Sequence, residues 1–368
     1  MIDTADIHRL ISQPDADRTL SVFLMTDAAR LENHAATPGW RIWLKNAMRE
    51  LKNQHPEDET FDALRKRTEA LLEQHRGHSK AMALFLTPSS EQIFELPVPL
   101  AENAVAYGRA SLAPLLFAMD EYERTLIVVV DQERARFISG YMGGASREGT
   151  HVNDVEAYDF RSKDQMPTGR NQGDRTMGGS NRDAFEATIG DHLRRFYQEV
   201  AAQARQIVET QGIKRILLGG PGEAAHALKR EMHDTIARQV VAMVPIPQWV
   251  DDNAVVRLAL PAALAVEHQQ EVELVEEVVG LAKSGNRGAL GRVAVEDCLK
   301  RQQVELLILP WPLSDPDLRD RLPLAALAAG AKIEFVSGAA AERVIAEGGV
   351  AARLFYTVRP EFGDQPQS

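Results

Sequence analysis

A long amphipathic helix is encoded in the middle of this chain, between stretches that are typical of strands. Apolar residues recur at spacings of three and four over residues 185–207, which predicts one helix with an apolar stripe. Before it, Thr125–Asp131 is rich in β-branched residues without alternation, which predicts a buried strand, and Arg134–Ser139 completes a hairpin. Ile213–Leu218 and Val240–Val244 are predicted strands after the helix. This order of elements predicts a mixed α/β domain.

The parts of the chain on either side of this region also alternate between strands and helices. The 368 residues suffice for two or three domains, and we predict three. Residues 1–122 should form a mixed α/β domain whose ligand the sequence does not indicate. Residues 123–260 form the middle domain with a mixed sheet and the long helix. Residues 261–368 should form a small α/β/α sandwich.

Composition excludes several classes of protein. The net charge of −11 argues against a general nucleic-acid coat, because phosphate binding requires clustered Lys and Arg. A single cysteine, Cys298, excludes a disulfide framework and a thiolate metal cluster. No apolar run approaches the roughly 18 residues of a membrane span, and the N-terminus lacks a signal-peptide core. We therefore expect a cytoplasmic protein without membrane contact, and the sequence predicts no metal site and no cofactor.

A stretch with little periodicity, residues 143–180, lies before the long helix. Its length predicts a segment that is either disordered or functional. Between residues 161 and 182 it carries five basic side chains against two acidic ones, a local charge of +3 in an acidic protein. The basic residues are Arg161, Lys163, Arg170, Arg175 and Arg182. A locally basic loop suits RNA phosphates, and the competing interpretation is a solvated segment.

The end of this stretch resembles a known loop. The run from Gly178 to Phe185 matches, without a gap, the Gly-Gly-Gln loop and following Phe of class-one peptide release factors of archaea and eukaryotes, which are related to the Pelota rescue factors. Ser180 falls where that family has its glutamine. The strand and glycine turn at residues 213–222 and the ending Gly348–Tyr356 also resemble the family, so the resemblance covers residues 124–359. It implies a C-terminal domain similar to RNA-binding ribosomal-protein domains.

The first 122 residues do not carry the resemblance. The family reads stop codons with an Asn-Ile-Lys-Ser loop and a Tyr-x-Cys motif, and neither occurs before residue 125. Bacterial release-factor-like proteins resemble this arrangement more closely. The resemblance therefore implies a release or rescue factor that does not read stop codons.

The implied chemistry is hydrolysis of the ester between a peptide and the 3′ end of tRNA. Glycines at 178 and 179 would let the backbone approach closely, and the Ser180 N–H would stabilise the oxyanion, so Gly178, Gly179 and Ser180 are the candidate catalytic residues. The five basic residues are the candidate RNA contacts, and the ribosome and tRNA are the implied partners. Two alternatives remain: a non-catalytic ribosome- or RNA-binding adaptor, and a hydrolase of an unrelated ester.

Simpler roles compete with these assignments. Ser180 precedes Asp183 in a pattern close to a capping box, which predicts a helix N-cap. The turn Gly219–Gly222 follows a strand and opens a helix, so it is either a plain turn or a phosphate site. Asp251 and Asp252 are typical of a helix start or a loop. The segment 266–280 carries five acids and no Lys or Arg, which predicts a solvated helix face or one that binds a basic protein partner.

Overall fold

The structure is a computed structural model that describes residues 4–13, 15–74, 79–153, 180–313 and 315–357. The chain divides into two compact units. One unit combines residues 1–122 with 267–368, and the other comprises residues 123–266. The proposed division into three domains at residues 122 and 260 stays a prediction.

The first part of the chain forms an antiparallel sheet of order β3-β2-β1-β4. Leu20, Val22 and Leu24 of β1 face a core that includes Trp40 of α2 and Phe61 of α3. The elements are α1 (Thr4–Ile11), β1 (Thr19–Leu24), α2 (Gly39–Gln54), α3 (Glu59–Gln74), β2 (Ala81–Leu86), β3 (Glu91–Leu96), β4 (Ala104–Gly108) and α4 (Ala113–Glu121).

The last part of the chain belongs to the same compact unit and forms a sheet of order β10-β13-β11-β12. Alternate residues of β11 face two cores. Leu307 and Leu309 pack with one set of helices, and Leu306 and Ile308 with another, so helices cover both faces. The elements are β10 (Gly288–Leu290), α9 (Arg292–Lys300), β11 (Val304–Pro310), α10 (Pro316–Ala328), β12 (Lys332–Val336), α11 (Gly338–Ala346) and β13 (Ala351–Leu354).

The unit of residues 123–266 contains a five-stranded mixed sheet of order β7-β6-β5-β8-β9. Strands β5, β8 and β9 run parallel, and β6 and β7 add to β5 as antiparallel hairpins. The elements are β5 (Thr125–Val130), β6 (Arg134–Tyr141), β7 (Gly144–Val152), α5 (Ser180–Gln211), β8 (Arg215–Gly219), α6 (Gly222–Glu231), α7 (Asp234–Ala237), β9 (Val240–Val244) and α8 (Asp252–Lys283). The second half of α8, from Glu267 onward, belongs to the other unit.

The predicted mixed α/β fold with several sheets is confirmed, as are the hairpin of β5 and β6 and the long helix α5. One expectation was wrong in part. Residues 143–180 were expected to lack regular structure, yet Gly144–Val152 form strand β7 beside β6. All of its residues are exposed or half-buried, so no strong alternation marks the strand in the sequence.

None of the helices in the described part of the chain combines the length and apolar character that a membrane crossing would require.

Candidate functional site

The candidate site is the segment between β7 and α5, and the structure describes both of its ends. Beyond β7, the backbone N–H of Asn153 donates to the Glu133 carbonyl at 2.6 Å, and its side-chain amide donates to the Gln132 carbonyl at 2.8 Å. Glu133 itself lies in the β5–β6 turn, where its N–H donates to Asp131 at 2.8 Å. Two hydrogen bonds therefore fix the start of the segment to the sheet.

The other end of the segment enters α5, which packs on one face of the sheet. Phe196, Val200 and Ala204 are buried against alternate residues of β5, as the apolar stripe predicts. Among side chains that the structure describes, Leu193 is the first of α5 to join this core. Ser180 begins the helix 13 residues earlier, which corresponds to roughly 20 Å of helix.

A contact between β7 and α5 joins the two ends. The His151 Nε2 lies 2.9 Å from the Glu199 Oε2, and the His151 ring stacks on Phe196 with centroids 5.7 Å apart. Both anchors of the segment are therefore held against one another within the same unit.

An ion-pair network holds the β6–β7 hairpin on the start of α8. Arg147 binds Asp252 through two hydrogen bonds of 2.7 Å, while Arg136 donates to Asp252 at 3.2 Å and to the Val250 carbonyl at 2.9 Å. The Arg136 side chain is only 8% exposed. The hydrogen bond from Arg147 holds the pKa of Asp252 below its usual range, although burial opposes this, and burial lowers the pKa of Arg136. Asp252 is thus the counter-ion that makes a buried arginine tolerable in this sheet.

The helix-start interpretation of Asp251 and Asp252 is confirmed. The Asp251 Oδ1 accepts from the Ala254 N–H at 2.8 Å, and Asp252 is the first residue of α8. The sequence indicates both acids, but the two arginine partners of Asp252 lie more than 100 positions away in the chain, and no local pattern connects them to it.

The glycine turn after β8 is explained by packing alone. Gly220 has a φ of +117°, and a Cβ on it would lie 2.0 Å from the Val130 carbonyl oxygen. Only glycine allows β8 to end this close to β5. The plain-turn interpretation of Gly219–Gly222 therefore needs no phosphate ligand.

The predicted site residues fall mainly outside the described part of the chain. Ser180 and Arg182 lie in the first turn of α5, where the backbone is described and the side chains are not. The other candidate site residues lie outside the described ranges, and they are Arg161, Lys163, Arg170, Arg175, Gly178 and Gly179. Their assignment as catalytic or RNA-binding residues stays a prediction.

The acidic segment 266–280 is less exposed to solvent than the sequence predicts. Glu267 and Glu271 are buried, at 3% and 1% exposure, while Glu273, Glu276 and Glu277 are exposed. Helical periodicity turns two of the five acids towards the core, so a fully solvated acidic face was wrong for those two.

A comparison with protein families matches residues 111–264 to bacterial archaeo-eukaryotic release factor family 10. The matched range contains the five-stranded sheet, the candidate segment and α5. The resemblance to release factors that the sequence indicates is therefore found again by this family model, over residues 111–264.

Solved structures similar to the chain include Pelota from Archaeoglobus fulgidus, with 14% identity, 76% of this chain and 80% of that chain covered, and a TM-score of 0.37. Dom34 from S. cerevisiae, described as a translation termination-like factor that interacts with Hbs1, has 13% identity, coverage of 77% and 81%, and a TM-score of 0.45. An archaeal Pelota bound to the ribosome with ABCE1 has 15% identity, coverage of 76% and 78%, and a TM-score of 0.45. No curated protein matches the chain.

Proposed function

We propose that this protein is a cytoplasmic, ribosome-associated release or rescue factor that brings Gly178, Gly179 and Ser180 to the peptidyl-tRNA ester without reading stop codons. The observation that carries the proposal is the family match over residues 111–264, because the candidate segment lies inside it.

The position of Ser180 supports a backbone mechanism. A helix that begins at Ser180 leaves the N–H groups of its first turn without acceptors inside the helix. Such N–H groups, together with the helix dipole, stabilise a negative charge close to the N-terminus of the helix. The oxyanion that forms when water attacks the ester carbonyl is such a charge. The Ser180 N–H would donate to it, while the adjacent glycines would allow the backbone to approach.

The way in which the segment is anchored supports its role in carrying the glycine pair to a distant ester. Hydrogen bonds of Asn153 fix one end to the sheet, and α5 is packed from Leu193 onward. The 26 residues from 154 to 179 thus connect the anchored Asn153 to the first turn of α5. A rigid base with a long connecting segment suits a group that must reach a buried ester on the ribosome.

The charge of the segment supports contact with RNA. Its net charge of +3 between residues 161 and 182 stands against −11 for the whole chain. We propose that Arg161, Lys163, Arg170, Arg175 and Arg182 bind phosphates of tRNA or ribosomal RNA. A protein partner would bind the exposed acids of α8, which are Glu273, Glu276 and Glu277.

Peptide release from stalled ribosomes tests the catalytic part. We expect native protein to release peptide, and Gly179→Ala to lose at least about tenfold, because displacement of a reacting group by about 1 Å costs on the order of 100-fold. Gly190→Ala, in the helix that follows the glycine pair, is the control, since a Cβ there meets nothing within 4 Å. Ser180→Gln should increase release, because it restores the longer amide of the family motif.

The adaptor alternative predicts another pattern. Native protein would bind ribosomes and release nothing, and only Ser180→Gln would gain activity. Equal release by native protein and Gly179→Ala would contradict a catalytic role for the glycine pair.

A further inference from the structure

Three side chains with metal-binding atoms meet in the unit formed by residues 1–122 and 267–368. They are Glu121 at the end of α4, and His268 and Glu271 on α8. One candidate ligand atom of each lies within 4.8 Å of the other two. The His268 Nε2 and the Glu121 Oε1 are already 3.0 Å apart. Positions 121 and 268 are far apart in sequence, so the fold brings these groups together.

The two carboxylates are buried and incompletely satisfied. Glu271 is 1% exposed, and its Oε2 accepts from the Ser337 N–H at 2.7 Å and from the Ser337 hydroxyl at 3.2 Å. Its Oε1 has no hydrogen-bond partner among the described residues, and the same holds for the Oε2 of Glu121, whose side chain is 10% exposed. A buried carboxylate oxygen without a donor is costly, and a cation beside the two oxygens would offset that cost.

The described residues supply little such positive charge. His268 is the ion-pair partner of Glu121, and it is charged only when protonated. The cluster therefore combines two buried carboxylate oxygens that lack a hydrogen-bond donor with an imidazole, which binds metals when it is neutral.

We propose that Glu121, His268 and Glu271 form a binding site for a divalent transition-metal cation, with Zn²⁺ as the preferred ion. One imidazole nitrogen and two carboxylate oxygens are ligands that suit Zn²⁺ and Mn²⁺, whereas Mg²⁺ favours oxygen ligands and retains its waters.

The geometry is close to that of a zinc site. Ligand atoms at about 2.0–2.1 Å from a tetrahedral Zn²⁺ lie about 3.4 Å from one another. The 3.0 Å separation of His268 and Glu121 is near this value, and the largest separation, within 4.8 Å, needs a side-chain movement of roughly 1.4 Å or less. His268 is half exposed, which gives the ion a path from solvent and leaves a fourth position for water.

The site would also connect separate elements. Glu121 ends α4, His268 and Glu271 lie on α8, and Ser337 precedes α11. A cation held by the first three would fix α4 to α8, and the hydrogen bonds of Glu271 would extend that link to the start of α11. Metal binding should therefore stabilise this unit against unfolding.

Equilibrium dialysis of the chelator-treated full-length protein against Zn²⁺, followed by metal quantification, tests the proposal. We expect one tightly bound Zn²⁺ per chain. His268→Ala, Glu121→Gln and Glu271→Gln should each weaken binding at least about tenfold, since even an outer-shell partner of a metal ligand is worth about 10–100-fold. Glu271→Gln keeps an acceptor for Ser337.

The matched controls are Glu273→Gln, an exposed acid on the same helix, and His226→Ala, an exposed histidine on α6. Both should bind Zn²⁺ like the native chain. Zn²⁺ should raise the Tm of the native protein and leave that of His268→Ala unchanged, and Mg²⁺ should do neither.

Two results would overturn the site. One is the absence of Zn²⁺ binding by native protein. The other is Zn²⁺ binding that persists at native affinity in His268→Ala and Glu121→Gln, which would place the ion elsewhere. His268→Ala alters a half-exposed side chain, so misfolding does not obscure the comparison; circular dichroism verifies this.

Discussion

Replacement of Asp252 by alanine should destabilise the unit of residues 123–266 by about 2–3 kcal/mol. Loss of one partner of a buried ion pair costs about 3–5 kcal/mol, because the remaining charge stays buried. Arg136 is that charge, at 8% exposure. The expected cost falls below that range for two reasons. The Asp252 side chain is 22% exposed, and Arg136 keeps its hydrogen bond to the Val250 carbonyl.

The second partner of Asp252 contributes less. Arg147 is 50% exposed, and exposed ion pairs contribute only about 0–1 kcal/mol. Asp252→Asn keeps one acceptor oxygen for a guanidinium, so its effect should be about half that of the alanine variant.

Hydrogen exchange of β6 and β7 peptides measures this effect locally, which matters because the chain has two compact units and global unfolding need not be two-state. Glu209→Gln is the matched control. It breaks an exposed ion pair with Arg205, whose N–O distance of 2.7 Å equals that of Arg147 and Asp252. The loss of this pair should cost less than about 0.5 kcal/mol. An Asp252→Ala effect no larger than that of Glu209→Gln would refute the reasoning.

The pH dependence has a definite sign. The folded pKa of Asp252 is lowered, first by the hydrogen bond from Arg147. Its contribution is therefore fully present above the unfolded pKa of about 3.9 and is lost as pH falls through the lower folded value. The difference between native protein and Asp252→Ala should shrink below about pH 4 and vanish in stronger acid.

Three further predictions concern other parts of the chain. Gly220→Ala should destabilise the protein by at least about 2 kcal/mol, because its Cβ would collide with the Val130 carbonyl oxygen, whereas Gly222→Ala meets nothing within 4 Å and should be nearly neutral in urea unfolding. Asp58 accepts from the Phe61 N–H at the start of α3, so Asp58→Ala should cost about 1 kcal/mol at pH 7 in the same assay, and the cost should disappear as acid protonates the native carboxylate, whose pKa that bond lowers. Arg175→Gln should reduce the slope of log affinity for single-stranded RNA against log salt by about 0.7, and an unchanged slope would exclude a phosphate contact.

Strong local patterns made much of the fold predictable. The β-branched run at β5 and the apolar stripe of α5 both appear where the sequence predicts them. Strand β4 has no strong sequence signal because Ala104–Gly108 is short and only half-buried, and β7 has none because its exposed residues do not alternate.

Pairings across long sequence distances could not be predicted. Asp252 was identified as a helix-start acid, but its contact with Arg136 depends on how β6 packs beside α8. The spacing of His268 and Glu271 places them one turn apart on a helix, yet nothing near Glu121 indicates that α4 ends beside them. For the candidate catalytic glycines, Gly178 and Gly179, the sequence is more informative than the structure. Their local pattern is clear in the sequence, and the described structure contains only their anchors.

Co-sedimentation with ribosomes tests the central proposal most directly. Native protein at low salt should travel with ribosomes, and the association should weaken as salt rises, because a net +3 segment contacts RNA phosphates. A variant with Arg161, Lys163, Arg170, Arg175 and Arg182 all replaced by Gln should bind less tightly and depend less on salt. Failure of the native protein to co-sediment at low salt would contradict both the release-factor proposal and its adaptor alternative.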